Sequence, residues 1–433
     1  MSVADILQPS SRINRAEPSL HQLRWLTADV ALGALVLMWT AEALVRLPML
    51  SLVTITAYGY FTLRFAMTMP RFLPLVLRNW VMLLYPALCL VSVLWSLTPM
   101  LSFVGSIQIT FTILIGIFLG GQLGLRGLAM LILCSLGATM VFSLANLSGA
   151  MGNAWSYVGG FLGIYTNKNA LGQRGTLLIL TCLFFVLTER RGVIFWAALG
   201  MGCLTTILLG LSLSVTSILM TGAMTGVLLF VLGWANLPQF RLLALLFIAL
   251  CLLSAAITFI ALGINPVDEI LGAFGKNSTL TGRTFLWEVG MAKVGEAPLL
   301  GYGILAFWHA PEFAQEVLVI SGLYGETVEA FHNFIIEVLV ALGPLGLITL
   351  LAIAVASFRN LAQVKHDQIR YWGWLVVILL ILLSLLGSSF FRQHEISLLL
   401  IVAIGAAAGR DAHAKTDRRA ARMHRTKAMS ALR

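Results

Sequence analysis

The charged and polar residues of this chain are few enough to be weighed one at a time. Four groups stand out: Thr166-Asn167-Lys168-Asn169 with Arg174, Thr281-Gly282-Arg283, Phe331-His332-Asn333, and Arg392-Gln393-His394. A histidine that stays neutral near pH 7 serves as a general base. His332 stands just before an apolar run, so the positive end of a helix starting there disfavours the imidazolium and keeps a basic nitrogen available. Arg283, Lys168, Arg174 and Arg392 are cations suited to phosphate, which arginine grips in bidentate fashion. Asn169 and Asn333 stand where two apolar runs begin, and helix N-termini bind anions through unpaired N–H groups. Together these types fit one chemistry. A neutral His332 takes the proton of a sugar hydroxyl as it attacks an anomeric carbon. The cations, Arg283 foremost, stabilise a departing diphosphate without a metal.

Each residue also has a plainer role open to it. Lys168, Arg392 and Lys276 would snorkel to headgroups. Arg174, about a turn inside the membrane, would belong to an ion pair, and His332 would cap a helix at the interface. Glu326 and Glu329 would orient His332, bind an acceptor, or be solvated. Ser212, Ser214, Thr216 and Ser217 most simply cap a helix. Cys89, Cys134, Cys182, Cys203 and Cys251 all fall inside apolar runs, where cysteine is a small hydrophobe. Neither a disulfide, a metal site nor a cofactor is expected from their spacing.

These groups are carried by a 433-residue chain that is 59% hydrophobic and 11% charged, against roughly 25% charged in an ordinary soluble domain. A spanning helix needs about 20 apolar residues, because the hydrocarbon core is roughly 30 Å thick. Such runs predict an all-α integral membrane protein of about twelve transmembrane helices, near residues 26–44, 47–63, 79–97, 103–121, 127–147, 169–187, 192–210, 213–234, 242–263, 333–357, 371–388 and 395–409. No secretory leader is evident in the polar first residues.

Charge sets the orientation. With both termini cytoplasmic, most Lys and Arg, among them Arg64, Arg126 and the basic tail, lie inside, as the positive-inside rule expects. The net charge of +10 is thereby a topological signal with anionic headgroups as its partner, and no nucleic acid is implied. The expected organisation is a cytoplasmic segment 1–25, helices 1–9 over 26–263, a large periplasmic loop 264–332, helices 10–12 over 333–409, and a basic cytoplasmic tail 410–433. The loop contains Trp287, Tyr302, Phe307, Trp308, Phe313 and Tyr324, which a disordered spacer would lack. Short helices are expected over Thr284–Val294 and Glu312–Val319, with a turn at Gly301-Tyr302-Gly303. All four polar groups fall on the periplasmic side of this scheme.

The rival class is a transporter or flippase. It would carry ionisable residues or broken helices near the bilayer midplane, often in repeated halves. Asp29, Glu42, Glu337 and Glu395 all fall near expected span ends, and no repeat is evident.

Several segments resemble the O-antigen ligase and polymerase superfamily: Leu94-Trp95-Ser96-Leu97-Thr98-Pro99, Thr166-Asn167-Lys168-Asn169-Ala170-Leu171-Gly172, Thr281-Gly282-Arg283-Thr284-Phe285-Leu286-Trp287, Pro298-Leu299-Leu300-Gly301-Tyr302-Gly303, His332-Asn333 and Gly343-Pro344-Leu345-Gly346. The pattern is most similar to ExoQ-like exopolysaccharide polymerases. The resemblance implies a metal-independent, inverting glycosyltransferase of the bacterial inner membrane, working on its periplasmic face. Its donor would be a polyprenyl-diphosphate-linked glycan and its acceptor another lipid-linked repeat, or lipid A-core in a ligase, alongside other polysaccharide assembly proteins. It assigns Arg283 to the diphosphate, His332 to the base, and a second cation to Lys168 or Arg174. One departure stands out: the family's Ser-Lys-Thr-like motif is here Ser214-Val215-Thr216.

Overall fold

The computed structural model describes residues 20–46, 50–157, 159–236, 283–324, 329–364, 368–385 and 392–412. Over these the chain is helical, apart from an isolated β-bridge between Trp155 and Phe161. In order the helices are α1 (Leu20–Thr40), α2 (Leu50–Met67), α3 (Met69–Arg78), α4 (Leu84–Val91), α5 (Pro99–Ala145), α6 (Lys168–Thr188), α7 (Val193–Ser212), α8 (Val215–Asn236), α9 (Arg283–Glu296), α10 (Ala314–Tyr324), α11 (Phe334–Gln363) and α12 (Gln368–Leu385), followed by α13 over 396–412. Among the described residues α5, α6, α7, α11 and α12 are long and apolar enough to cross a membrane; a sixth span is added if α3 and the segment Trp80–Leu94 count as one. The span expected at 242–263, the loop up to Gly282, residues 1–19 and the tail from 413 lie outside the described residues.

Helix α5 would be about 70 Å long if straight, roughly twice the hydrocarbon thickness. It is broken at Gly124, where φ is 69° and ψ 178°, a conformation open essentially to glycine alone. Two runs expected as separate spans, 103–121 and 127–147, are thus joined end to end. The break frees the Leu125 N–H, which donates to the Asp411 carboxylate at 3.1 Å. Before it, Gly116 and Gly120 press on the backbone of α13 at Leu399 and Ala403. Small residues allow that close approach where no hydrophobic force drives helices together.

A second break lies in α11, at Gly343 (φ 63°, ψ −164°) followed by Pro344. Proline has no N–H, so the Val340 carbonyl loses its helical partner four residues on. Tyr302 N–H donates to Val340 O and Gly303 N–H to Ala341 O, both at 2.9 Å. The expected turn at 301–303 is therefore laid into the gap of a broken helix. It is locked from the other side by Leu97 N–H to Tyr302 O and by Ser102 Oγ to Ile304 O at 2.6 Å.

The segment 283–333 carries its own apolar core. Leu286, Phe307, Ala310, Phe313, Ile320 and Phe331 pack with Ile336 and Val340 of α11, which agrees with an ordered connection. The expected short helices appear as α9 and, after a 3₁₀ turn at Pro311–Phe313, α10. Lys293, 8% exposed, ties them together by bonds to Glu296 and Glu316. That bond, with one from Tyr302 OH, holds the Glu296 carboxyl below its ordinary range.

One expectation about the first spans is corrected. Asp29 lies close to the start of the apolar stretch Leu26–Thr40, as expected, although α1 itself begins at Leu20. Arg64, expected in an intracellular loop, is buried in α2 and grips Asp29 through Nε and Nη2, both at 2.7 Å. Each charge answers the other's desolvation, with Tyr60 OH as a further donor. Helix α3 lies in the connection expected before the span 79–97 and meets the segment Trp80–Leu94 at 85°.

Candidate functional site

Among the described residues, one end of the bundle gathers polar side chains from three of the four groups. There the α1–α2 turn, the connection 146–167, the start of α6, residues 297–333 and the start of α13 meet. Arg46 fastens the second of these, donating to the carbonyls of Asn153 and Tyr165.

At the start of α6, Asn167 rather than Asn169 is the cap, its Oδ1 accepting from Ala170 N–H at 2.8 Å. Asn169 Oδ1 instead accepts from Ser214 Oγ at 2.9 Å, so the serine just before Val215, the position that departs from the family pattern, is a tether between α6 and the start of α8. Lys168 is half-buried, its Nζ donating to Gly159 O at 3.1 Å. Arg174 is 4% exposed and its guanidinium is engaged: Nη2 with Glu42 Oε1 at 3.0 Å, Nε with Ala41 O at 3.2 Å, and Nη1 with Gln173 Oε1 at 2.8 Å. The ion pair considered for Arg174 is what the structure contains.

This assigns Arg174 the work of holding α6 against the α1 turn. Glu42→Gln is expected to cost about 1–3 kcal/mol, below the 3–5 of a fully buried pair because Glu42 is 35% exposed. Adding Arg174→Met should restore most of it. Thermal unfolding in detergent checks both; an unchanged midpoint in Glu42→Gln would refute the structural role.

The second group surrounds the start of α11. Asn333 caps this helix, its Oδ1 accepting from Ile335 N–H at 3.0 Å. Glu337, 4% exposed, turns back to accept from Phe331 N–H at 2.6 Å and from Trp308 Nε1 at 3.2 Å. Trp287 Nε1 donates to Phe331 O at 3.0 Å. Both sides of the Phe331 backbone are thus clamped, and the next residue, His332, is held at φ 54° with its ring exposed. A left-handed histidine costs about 1–2 kcal/mol, which the clamp must supply. Arg392 donates to Glu329 O, and its charge acts on Glu337 and Glu395.

Lys168, Asn169 and Arg174 thus gather at the start of α6, and His332, Asn333 and Arg392 around the start of α11. Arg283 opens α9; its side chain lies outside the described residues. His394, the last residue of its group, is structural: it stacks on Trp39 at 4.2 Å and bonds to Tyr58. Among the described residues no cluster of three His, Cys, Asp or Glu side chains is placed to hold a metal.

Residue reasoning missed Glu337 as the clamp of the His332 segment. The available signal was a carboxylate one turn inside an apolar helix whose start is capped by Asn333. Trp308 was legible only as an aromatic in an ordered connection. The motif segments have a second duty: Ser96, Gly301, Gly303 and Gly343 are the backbone joints of the broken helix, since a Cβ on any of these glycines would strike a neighbouring backbone or Ser96.

Residues 176–351 match the family model described as O-antigen ligase. That stretch includes Arg283, His332 and Asn333 and excludes Lys168, Asn169, Arg174 and Arg392. The chain is also 33% identical over 278 residues to "Exopolysaccharide production protein ExoQ" of Rhizobium meliloti (strain 1021), covering 62% of each protein. It therefore spans somewhat less than two thirds of that relative's length. The chain is thus a helical membrane protein that is similar, over residues 176–351, to the O-antigen ligase family.

Proposed function

We propose that this protein is a polymerase of the bacterial inner membrane that joins polyprenyl-diphosphate-linked oligosaccharide repeats on the periplasmic face, both termini being cytoplasmic. The observation that carries this reading is the presentation of His332, exposed and backbone-clamped at the positive start of α11. An imidazole in that field stays neutral. It removes the proton from an acceptor hydroxyl as that oxygen bonds to the donor's anomeric carbon. The bond from that carbon to the diphosphate oxygen breaks, and the leaving polyprenyl diphosphate keeps the electron pair. In-line displacement inverts the anomeric centre.

Arg283 neutralises the diphosphate, with Asn333 on the same side and Lys168 and Asn169 opposite. Lys168, rather than Arg174, supplies the second cation, because the Arg174 donors are already taken. No metal is required when fixed cations meet the developing charge. The likeness to an exopolysaccharide production protein supports a second lipid-linked repeat as acceptor. The family description favours a second reading, a ligase that delivers finished glycan to lipid A-core.

A deletion strain complemented with the wild-type gene separates the two. For the polymerase, loss of the gene removes high-molecular-mass extracellular polysaccharide and leaves the lipopolysaccharide ladder intact. For the ligase, the ladder loses its O-chain and long glycan collects on the lipid carrier. Unchanged glycan in both fractions would reject both readings.

A further inference from the structure

Beside the clamp lies a cavity of about 210 Å³, bounded by Leu101, Leu305, Trp308, Glu329, Arg392 and Gln393 among others. We propose that it is the subsite for one sugar ring of the acceptor glycan, a reading that rests on the transferase assignment above. Its size is below the roughly 300–1,000 Å³ of sites for drug-sized ligands, so it suits a single ring. Its walls are of two kinds. Leu101, Leu305 and the half-buried Trp308 offer an apolar and aromatic face, which matches the C–H face of a pyranose. Around them stand a guanidinium, two carboxylates and an amide, which match a belt of hydroxyls that both donate and accept.

The polar set discriminates against the other ligands at hand. Glu329 and Glu337 on the wall repel a diphosphate and outnumber the single cation there, Arg392. A polyprenyl chain would leave the Gln393 carbonyl without a donor. Gln393 supplies a direct pointer: its side-chain carbonyl is sealed from solvent and accepts no hydrogen bond, which costs about 1–3 kcal/mol until a donor arrives. The terminal torsion of glutamine is soft, so the amide turns to meet a ring hydroxyl. The cavity also lies where an acceptor must. Glu329 and Glu337 flank His332 in the chain, three residues before it and five after, so a ring seated here lies next to the segment that presents the base.

The test uses the full-length protein in lipid nanodiscs and the free oligosaccharide repeat released from the strain's own lipid-linked glycan. Binding is followed by saturation-transfer NMR, and elongation by the rate as acceptor and donor are varied separately. Trp308→Ala should weaken oligosaccharide binding at least about tenfold, and Gln393→Met, which keeps size and removes the amide, about three- to tenfold. Both should raise the half-saturating acceptor concentration and leave that of the donor alone. Wild-type affinity in Gln393→Met and Trp308→Phe together would overturn the subsite, as would a shift in donor dependence alone. Elongation by the wild type separately tests the transferase reading: binding lost in the variants without elongation by any protein would reject that reading and keep the sugar site.

Discussion

His332→Asn is expected to lower polymer formation by about 10²–10⁴-fold, the range a positioned general base contributes, with the protein still folded in the membrane. Asparagine is the informative replacement. It tolerates the left-handed backbone that His332 adopts at φ 54° and has no basic nitrogen, so the geometry of the clamp survives while the proton acceptor is removed. Alanine would confound the two effects by adding strain. The measurement is initial rate of chain elongation in nanodiscs, paired with size-exclusion profiles to verify folding. A variant that keeps more than about a tenth of wild-type rate would remove His332 from the base role. Glu337→Leu is the companion change. It leaves the imidazole in place but unclamps Phe331 N–H and Trp308 Nε1, so its rate should fall through misplacement.

Gly343→Ala is expected to abolish folded protein almost entirely. The residue sits at φ 63° and ψ −164°, where a side chain costs about 1–3 kcal/mol in strain alone. The added Cβ would also overlap the carbonyl of Leu299, pushing the 299–303 turn away from the two carbonyls it serves. Both hydrogen bonds from Tyr302 and Gly303 are then lost, leaving acceptors without partners in an apolar setting at several kcal/mol each. Yield after mild detergent extraction and the thermal midpoint report the outcome. Gly222→Ala in α8 is the control: nothing lies within 4 Å of its would-be Cβ, and alanine is the better helix former by about 1 kcal/mol. Equal yields from the two variants would show that the broken helix tolerates a side chain at its joint.

The sequence made the helical membrane character legible because hydrophobic runs of spanning length leave no soluble alternative. It also singled out the polar groups at the starts of α6 and α11, since charges in such a chain persist only where they are paired or useful. What it hid depends on pairing across distance. Glu42 and Arg174 are 132 positions apart and Asp29 and Arg64 are 35 apart, and hydropathy carries no term for partners. Arg64 looked like a loop residue because an unpaired arginine would have to be one. The bend at Trp80 falls where the span expected at 79–97 begins, and Asn79 marks it by bonding its own side chain to Leu75 O. At Gly124 the break was anticipated as a boundary, and the backbone angles show two helices that meet there without an intervening loop.

The joint between the 301–303 turn and α11 also bears on how the protein is made. Val340 and Ala341 lie about 9 Å along α11 from its start, and their carbonyls are satisfied by residues synthesised nearly forty positions earlier. When α11 leaves the insertion machinery, its first half is incomplete by two acceptors. It becomes comfortable in lipid only once the preceding segment has folded back against it. Maturation of the connection and integration of the following span are therefore one event. A ribosome paused between residues 304 and 340 holds a turn that is fully synthesised and still without the carbonyls it is to serve.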